Sequence, residues 1–240
     1  MRVLDLFSGI GGFSLGLERA GMETVAFCEY DKKCRQVLKK HWPDVPQYED
    51  VRTLTKEQLD NDGITDIGLI CGGYPCQPFS TAGKRQGEAD DRALWKEYFR
   101  LVKEIRPTWV IAENVAGHIS MGIDNVLADL EGEDYAVQTF VIPACAVGAW
   151  HRRDRAWIIA HTDRHGRRER FSQGEVQRQR DREIQFTRGF ERWPGRSNLP
   201  APTLCGAHDG VPGKVDRLKQ LGNAVVPQIP EMIGRAINDC

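Results

Sequence analysis

No CxxC pair occurs among the seven cysteines, Cys28, Cys34, Cys71, Cys76, Cys145, Cys205 and Cys240. That absence excludes the usual zinc-ribbon and dithiol patterns, and an odd count suits no closed disulfide framework. No metal site is therefore expected. No apolar run approaches the length needed to cross a bilayer, so no membrane contact is expected. The N-terminus, Met-Arg-Val-Leu-Asp-Leu-Phe, lacks a basic stretch followed by an apolar one, so no signal peptide is expected. The chain reads as a cytoplasmic, reduced protein. A net charge of -1 favours no class of partner, because local distribution matters more than the sum. With 40% hydrophobic and 28% charged residues over 240 positions, there is enough apolar material for one sizeable core.

Short apolar runs alternate with helix-like segments. Strands are expected at Val3 to Phe7, Thr24 to Cys28, Ile67 to Cys71 and Trp109 to Ala112, with a later pair at Val137 to Ile142 and Ala156 to Ala160. Helices are expected from Gly11 to Ala20 (closed by Gly21), from the Asp31 cap to Lys40, from Asp91 to Ile105, from Asn125 to Leu130 and from Glu231 to Ile237. Such alternation predicts an α/β fold, a mainly parallel sheet with helices on both faces.

The pattern breaks after His161. Residues 163–192 carry nine arginines, no lysine and few large apolar side chains. Regularity returns near Val215. Three parts follow: residues 1–161 as the α/β body, 162–213 as a short variable segment, and 214–240 as a return segment that completes the body.

Four stretches carry chemistry. In "DLFSGIGG", Asp5 to Gly12, a strand runs into a glycine turn that opens a helix, so backbone N–H groups can approach a nucleotide-like ligand. The spacing Gly9, Gly11, Gly12 departs from GxGxxG, which argues against a phosphate ligand. Glu29 ends the second strand, where an acid can bind a ribose hydroxyl pair, and Asp50 follows a short run where it can meet an adenine amino group. In "GGYPCQPFS", Cys76 lies between Pro75 and Pro78 in a loop that leaves the third strand, with no histidine or aspartate beside it. Cys28, Cys71 and Cys145 read instead as small buried hydrophobes. A thiol without a base can act if its electrophile is activated. Glu113, in "AENVAG", ends the fourth strand on the same sheet edge, and partial burial would let it donate a proton at neutral pH. In "HRRDR", Arg153 and Arg155 are two apart, on one face if extended.

Together these stretches resemble the DNA (cytosine-5) methyltransferase family. "DLFSGIGGFSLGLERAG" is similar to its S-adenosylmethionine motif, "PCQPFS" to its nucleophile motif, "ENV" to its glutamate motif and "HRRDR" to its QxRxR motif, with His151 where the family has Gln. "QLGNAVVPQIP" resembles its last motif, and the order along the chain is the family's. The resemblance covers roughly residues 1–161 and 214–238, and implies a Rossmann-like S-adenosylmethionine-dependent fold. It implies that Phe7, Gly9, Gly11, Gly12, Glu29, Asp50, Val51, Pro75, Leu94, Asn223 and Val225 surround the cofactor. It further implies that Cys76 attacks C6 of a flipped-out cytosine in double-stranded DNA, that Glu113 bonds N3, and that Arg153 and Arg155 hold the site. Gln77 and Ser80 are then placed against DNA.

The variable segment is short for this family. Its arginines, Arg164, Arg167 and Arg168 among them, suit phosphate contacts and guanine readout, and its length suggests relaxed sequence specificity. A monomer is expected, with a restriction endonuclease as a cellular partner. A tRNA cytosine-5 methyltransferase and a DNA-binding homologue without turnover stay open as alternatives.

Overall fold

The computed structural model describes residues 1–75, 91–120, 122–149, 151–162 and 224–239. Seven strands form one sheet: β1 (Arg2–Leu6), β2 (Glu23–Cys28), β3 (Gln47–Tyr48), β4 (Ile67–Gly73), β5 (Trp109–Val115), β6 (Ala136–Pro143) and β7 (Asp154–His161), in the order β3-β2-β1-β4-β5-β7-β6. The first five in that order are parallel; β7 runs antiparallel to both β5 and β6. The later strand pair is thus a paired unit added to the edge of a parallel sheet.

The helices are α1 (Gly12–Arg19), α2 (Lys32–His41), α3 (Lys56–Asn61), α4 (Asp91–Ile105), α5 (Ile123–Gly132) and α6 (Gln228–Asn238). Side chains alternate across the strands and divide the core in two. Leu4 and Leu6 of β1, Ile70 of β4 and Ala112 of β5 pack with Tyr98 and Leu101 of α4 and with Val126 and Leu130 of α5. Val3, Leu69, Cys71, Ile111 and Trp157 point the other way and pack with Phe13 and Leu17 of α1 and with Ile229, Ile233 and Ile237 of α6. Two-sided burial is why β1 and β4 read as continuous apolar runs rather than alternating ones.

Local chemistry sets the ends. Gly11 caps α1 at φ 86 and Gly21 follows it at φ 87, both in the left-handed region where glycine is favoured. The Asp31 carboxylate accepts from the N–H groups of Lys33 and Cys34, at 2.7 and 3.2 Å, and starts α2 as expected. α6 seats on α1 because Gly16 and Gly234 carry no side chain: a Cβ on Gly16 would collide with the Pro227 carbonyl, and one on Gly234 would lie 2.8 Å from Ala20 Cβ. The Asn238 side chain then donates to the Ala20 carbonyl at 2.6 Å.

Several sequence expectations are corrected. Cys145 is exposed in a short 3-10 turn after β6, whereas Cys28 and Cys71 are buried. Arg153 is not extended; it precedes β7 with φ 34. β4 and β5 run past their expected ends to Gly73 and Val115. α3 was not expected at all.

Among the described residues, no helix is long and apolar enough to cross a membrane.

Candidate active site

The parallel register brings the carboxyl ends of five strands to one level. Leu6 pairs with Cys28 and with Gly72, Cys28 pairs with Tyr48, and Gly73 pairs with Glu113. Phe7, Glu29, Glu49 and Gly73 are the next residues outward, so the glycine turn, the acids and Glu113 meet along one edge. Ligands bind at such an edge in open α/β sheets.

The turn after β1 is held tightly. Phe7 and Gly9 adopt φ 53 and φ 54. The Phe7 ring stacks on Tyr98 with centroids 6.5 Å apart, and the Tyr98 hydroxyl donates to the carbonyls of Ile70 and Ile111. Gly11 N donates to the Ser8 carbonyl at 2.9 Å. Below it, Asp5 is fully buried and accepts from the Ser14 hydroxyl at 2.7 Å. Burial pushes the Asp5 carboxyl up to about 7, against the opposing Ser14 bonds. Gly12 admits the return segment: a Cβ there would stand 2.6 Å from the Val225 carbonyl oxygen. Val225 is half-buried against the α1 face of the core.

Glu29 is more than a solvated acid at a strand end. Its Oε2 accepts from Gly9 N and its Oε1 from Asp31 N, each at 2.7 Å. Burial raises its pKa, and the two backbone donors hold it back. Each oxygen keeps a second lone pair, so a vicinal diol could still be received there. This donor set fits a nucleoside: a carboxylate beside a bare glycine backbone, with no cationic side chain in the turn to suit a phosphate.

Asp50 is engaged differently. Arg52 grips it in a two-pronged ion pair, Nε to Oδ1 at 2.9 Å and Nη2 to Oδ2 at 2.7 Å, and this holds its pKa below the usual range. An adenine amino group at Asp50 would share that carboxylate with Arg52. Val51 is buried, and its carbonyl accepts from Arg100. Leu94, on α4, is half-buried against the same core.

At the other end of the edge, Glu113 has a side chain only 12% exposed and an ion pair with Arg155, Nε to Oε1 at 2.9 Å. Burial raises the Glu113 pKa; Arg155 and Arg153 oppose the rise. Burial, then Arg155, holds the Arg153 guanidinium below its usual range. Arg155 also donates to the Asp154 carbonyl, which fixes its direction. Glu113, Arg153, Arg155 and Val225 line a common cavity with Trp157. Two of the expected arginines and the expected glutamate thus come together, although Arg153 arrives by a left-handed turn rather than along a strand.

Pro75 is the last described residue after β4 and is exposed. Cys76, Gln77, Ser80, Arg164, Arg167, Arg168 and Asn223 lie outside the described residues, as do residues 163–223 as a whole.

Sequence reasoning missed three supporting groups. Asn114, next to Glu113, is 3% exposed, donates to the Tyr74 carbonyl at 3.2 Å and accepts from Val115 N at 2.8 Å. It ties the exit of β4 to β5, and its place in "ENV" was the available signal. Tyr74, two residues before Cys76, bonds through its hydroxyl to His118 Nε2 at 2.8 Å. Gly73 lies under the Glu113 carboxylate: a Cβ there would stand 2.9 Å from Oε2. Only the strand register reveals that contact.

The model of the C-5 cytosine-specific DNA methylase family matches residues 1–189. The type II methyltransferase M.HhaI of Haemophilus parahaemolyticus is 34% identical over 164 residues, covering 66% of this chain and 48% of the relative. The type II methyltransferase M.FnuDI of Fusobacterium nucleatum is 35% identical over 165 residues, 66% of this chain and 46% of the relative. The chain therefore spans less than half the length of these two relatives. A solved structure described as a DNA modification methyltransferase encoded within an E. coli prophage superimposes with a TM-score of 0.59 at 31% identity, covering 68% of this chain and 47% of that one. Spodoptera frugiperda DNMT2 shares the fold, with a TM-score of 0.57 at 22% identity over 72% of this chain and 53% of that one.

Proposed function

Because the chain belongs to the C-5 cytosine-specific DNA methylase family, we propose that it transfers a methyl group from S-adenosylmethionine to C5 of cytosine in double-stranded DNA. The observation that carries this reading is the state of Glu113: mostly buried, ion-paired to Arg155, its pKa raised, and set over Gly73 on the edge where Pro75 leads into Cys76.

The residues divide the work. A cytosine in a duplex cannot present C6 to a thiol, so the base must leave the stack. Cys76, its thiol proton lost to solvent, attacks C6 as the thiolate while Glu113 gives a proton to N3, and the electron pair displaced from the C5–C6 double bond makes C5 nucleophilic. S-adenosylmethionine held there would supply an electrophilic methyl for C5 on a sulfonium whose S–CH3 bond breaks to leave a neutral thioether. Loss of the C5 proton to a base and breakage of the Cys76–C6 bond restore the ring, and N3 returns its proton to Glu113. Arg155 fixes the orientation of the carboxyl, and Arg153 adds positive charge beside it. Burial matters because an exposed glutamate would already be ionised at neutral pH and would have no proton to give.

Phe7, Gly9, Gly11, Gly12, Glu29 and Val225 would hold the cofactor, with Asp50, Val51, Pro75 and Leu94 around the adenine and Asn223 completing the pocket. Arginines of residues 163–192 would contact DNA, and the body would act as a monomer with a restriction endonuclease as cellular counterpart.

The test is transfer of labelled methyl to unmethylated duplex DNA. The parent should transfer, Cys76→Ala should not, and Glu113→Gln should lose roughly 10²-fold or more. Undiminished transfer by Cys76→Ala would overturn the mechanism. Label entering tRNA and not DNA would make RNA the substrate.

A further inference from the structure

Trp157 carries a buried polar group that this chemistry leaves unused. It is 1% exposed and packs edge-on against Phe13 with centroids 5.5 Å apart. Among the described residues its indole Nε1–H has no hydrogen-bond partner. Roughly nine in ten or more buried polar groups have a partner, either in the protein or in an ordered water. Trp157 stands directly opposite Glu113 in the β5–β7 ladder. Opposed residues put their side chains on the same face of a sheet. Both line a cavity of about 10 Å³, together with Arg153, Arg155 and residues Ala224, Val225 and Val226. A space of that size is close to the smallest that takes one water, and its walls offer the two or more polar partners a water needs.

We infer that one ordered water fills this cavity, accepts the Trp157 Nε1–H and donates to Glu113 Oε1, so that Trp157 is a positioning residue for the Glu113 proton. The inference rests on the reading of Glu113 as the group that bonds cytosine N3. Its two oxygens are not equivalent. Oε1 already accepts from Arg155 Nε at 2.9 Å. Oε2 lies towards β4, where a Cβ on Gly73 would stand 2.9 Å away. A second donor on Oε1 fills the lone pairs there and leaves Oε2 to carry the proton. That is the side from which Pro75 leads to Cys76. Among the described residues, Arg155 and Arg153 are the charged groups facing Glu113; β4 presents Gly73, and residues 224–226 are apolar. Among the described residues no second acid faces Glu113 to compete for the proton.

Trp157→Phe removes the N–H and keeps a ring against Phe13. With the full chain, labelled S-adenosylmethionine and duplex DNA, kcat should fall about tenfold, a part of the roughly 10²–10⁴ that a positioned proton donor supplies. KM for S-adenosylmethionine should not change. The alkaline limb of the kcat profile should move to higher pH, because Oε1 loses a donor that favours the ionised form. A packing role alone would lower Tm and leave the limb in place. If Trp157→Phe matches the parent in kcat and limb while Glu113→Gln is inactive, the water inference is overturned and the proposed reaction stands. If Glu113→Gln is fully active, or the parent transfers nothing, it is the reaction that fails. The Trp157 indole N–H resonance, assigned through its contact with the Phe13 ring, then decides the water separately and needs no Trp157 variant. It should titrate with Glu113 in the parent and stop titrating in Glu113→Gln; a resonance indifferent to pH in the parent overturns the inference.

Discussion

Glu113 lies across Gly73, its Oε2 where a β-carbon of the neighbouring strand would crowd it at 2.9 Å. The atom at risk is the end of a side chain, so an added methyl displaces the carboxylate rather than the backbone. Gly73→Ala should therefore fold with a nearly unchanged Tm. Methyl transfer should fall about 10²-fold, the scale expected when a reacting group is misplaced by an ångström. S-adenosylmethionine affinity, measured by calorimetry, should stay within about twofold. Gly72→Ala is the contrasting control: its methyl would meet the Leu6 carbonyl, which is backbone, and the fold itself should suffer. Full activity in Gly73→Ala would show that Glu113 need not lie where it does.

Asp5 makes stability depend on pH. Its folded pKa of about 7 stands above the 3.8 of an ordinary aspartate, chiefly through burial. The folded state therefore holds a proton that the unfolded chain has lost between these values. The stabilisation is complete below pH 3.8 and disappears as pH rises through about 7. A shift of this size amounts to on the order of 4 kcal/mol. Asp5→Asn stays neutral throughout and keeps an oxygen for Ser14. Its Tm should vary less than the parent's between pH 5 and 8, and should exceed the parent's at pH 8. Glu29 and Glu113 are raised in the same direction and stay in the variant, so some slope should persist. Parallel Tm curves for the two proteins would count against a neutral Asp5.

Much of this arrangement was legible in the residues because its signals are local. The glycine turn, the Asp31 cap and the apolar runs of β1, β2, β4 and β5 each depend on neighbours in sequence. α3 was missed because its sequence, KEQLDN, buries a single side chain, Leu59. Its one signal was Thr55, whose hydroxyl accepts from Gln58 N as a cap. The exposure of Cys145 depends on how the turn after β6 packs its Val147 against α6, which no periodicity encodes. Arg153 and Arg155, two apart, would share one face only if the backbone were extended, and it turns left-handed at Arg153 instead. Gly73 under Glu113, and Trp157 opposite it, follow from strand register, and register between strands some forty residues apart is set by the whole sheet.

Glu29 links the glycine turn to the start of α2 through two backbone bonds. Gln has one acceptor oxygen where Glu has two, so Glu29→Gln leaves either Gly9 N or Asp31 N without its partner. Asp31 N is exposed and can turn to water, whereas the part-buried Gly9 N left unmet costs about 1 kcal/mol, the low end for a buried donor. S-adenosylmethionine binding should weaken by about tenfold or more, since the turn loosens and an acceptor for the ribose is lost. Calorimetric titration checks this without requiring turnover. Unchanged affinity would remove Glu29 from the cofactor site and leave it as a structural clamp.

Arg155 keeps a buried acid tolerable. Arg155→Ala would leave Glu113 with burial still raising its pKa and only Arg153 opposing. At pH 8 the variant would bury a poorly compensated charge. The loss should be about 3 kcal/mol, at the low end for breaking a buried pair, because Arg155 is itself 24% exposed. Lowering the pH protonates Glu113 and removes the charge that needs a partner. The sign follows: with the folded pKa raised further, the deficit relative to the parent should shrink as pH falls from 8 to 5 and grow as it rises. Denaturant midpoints of parent and variant at three pH values measure it. A deficit that stays constant with pH would mean that Arg155 supports the fold by packing and not by its charge on Glu113.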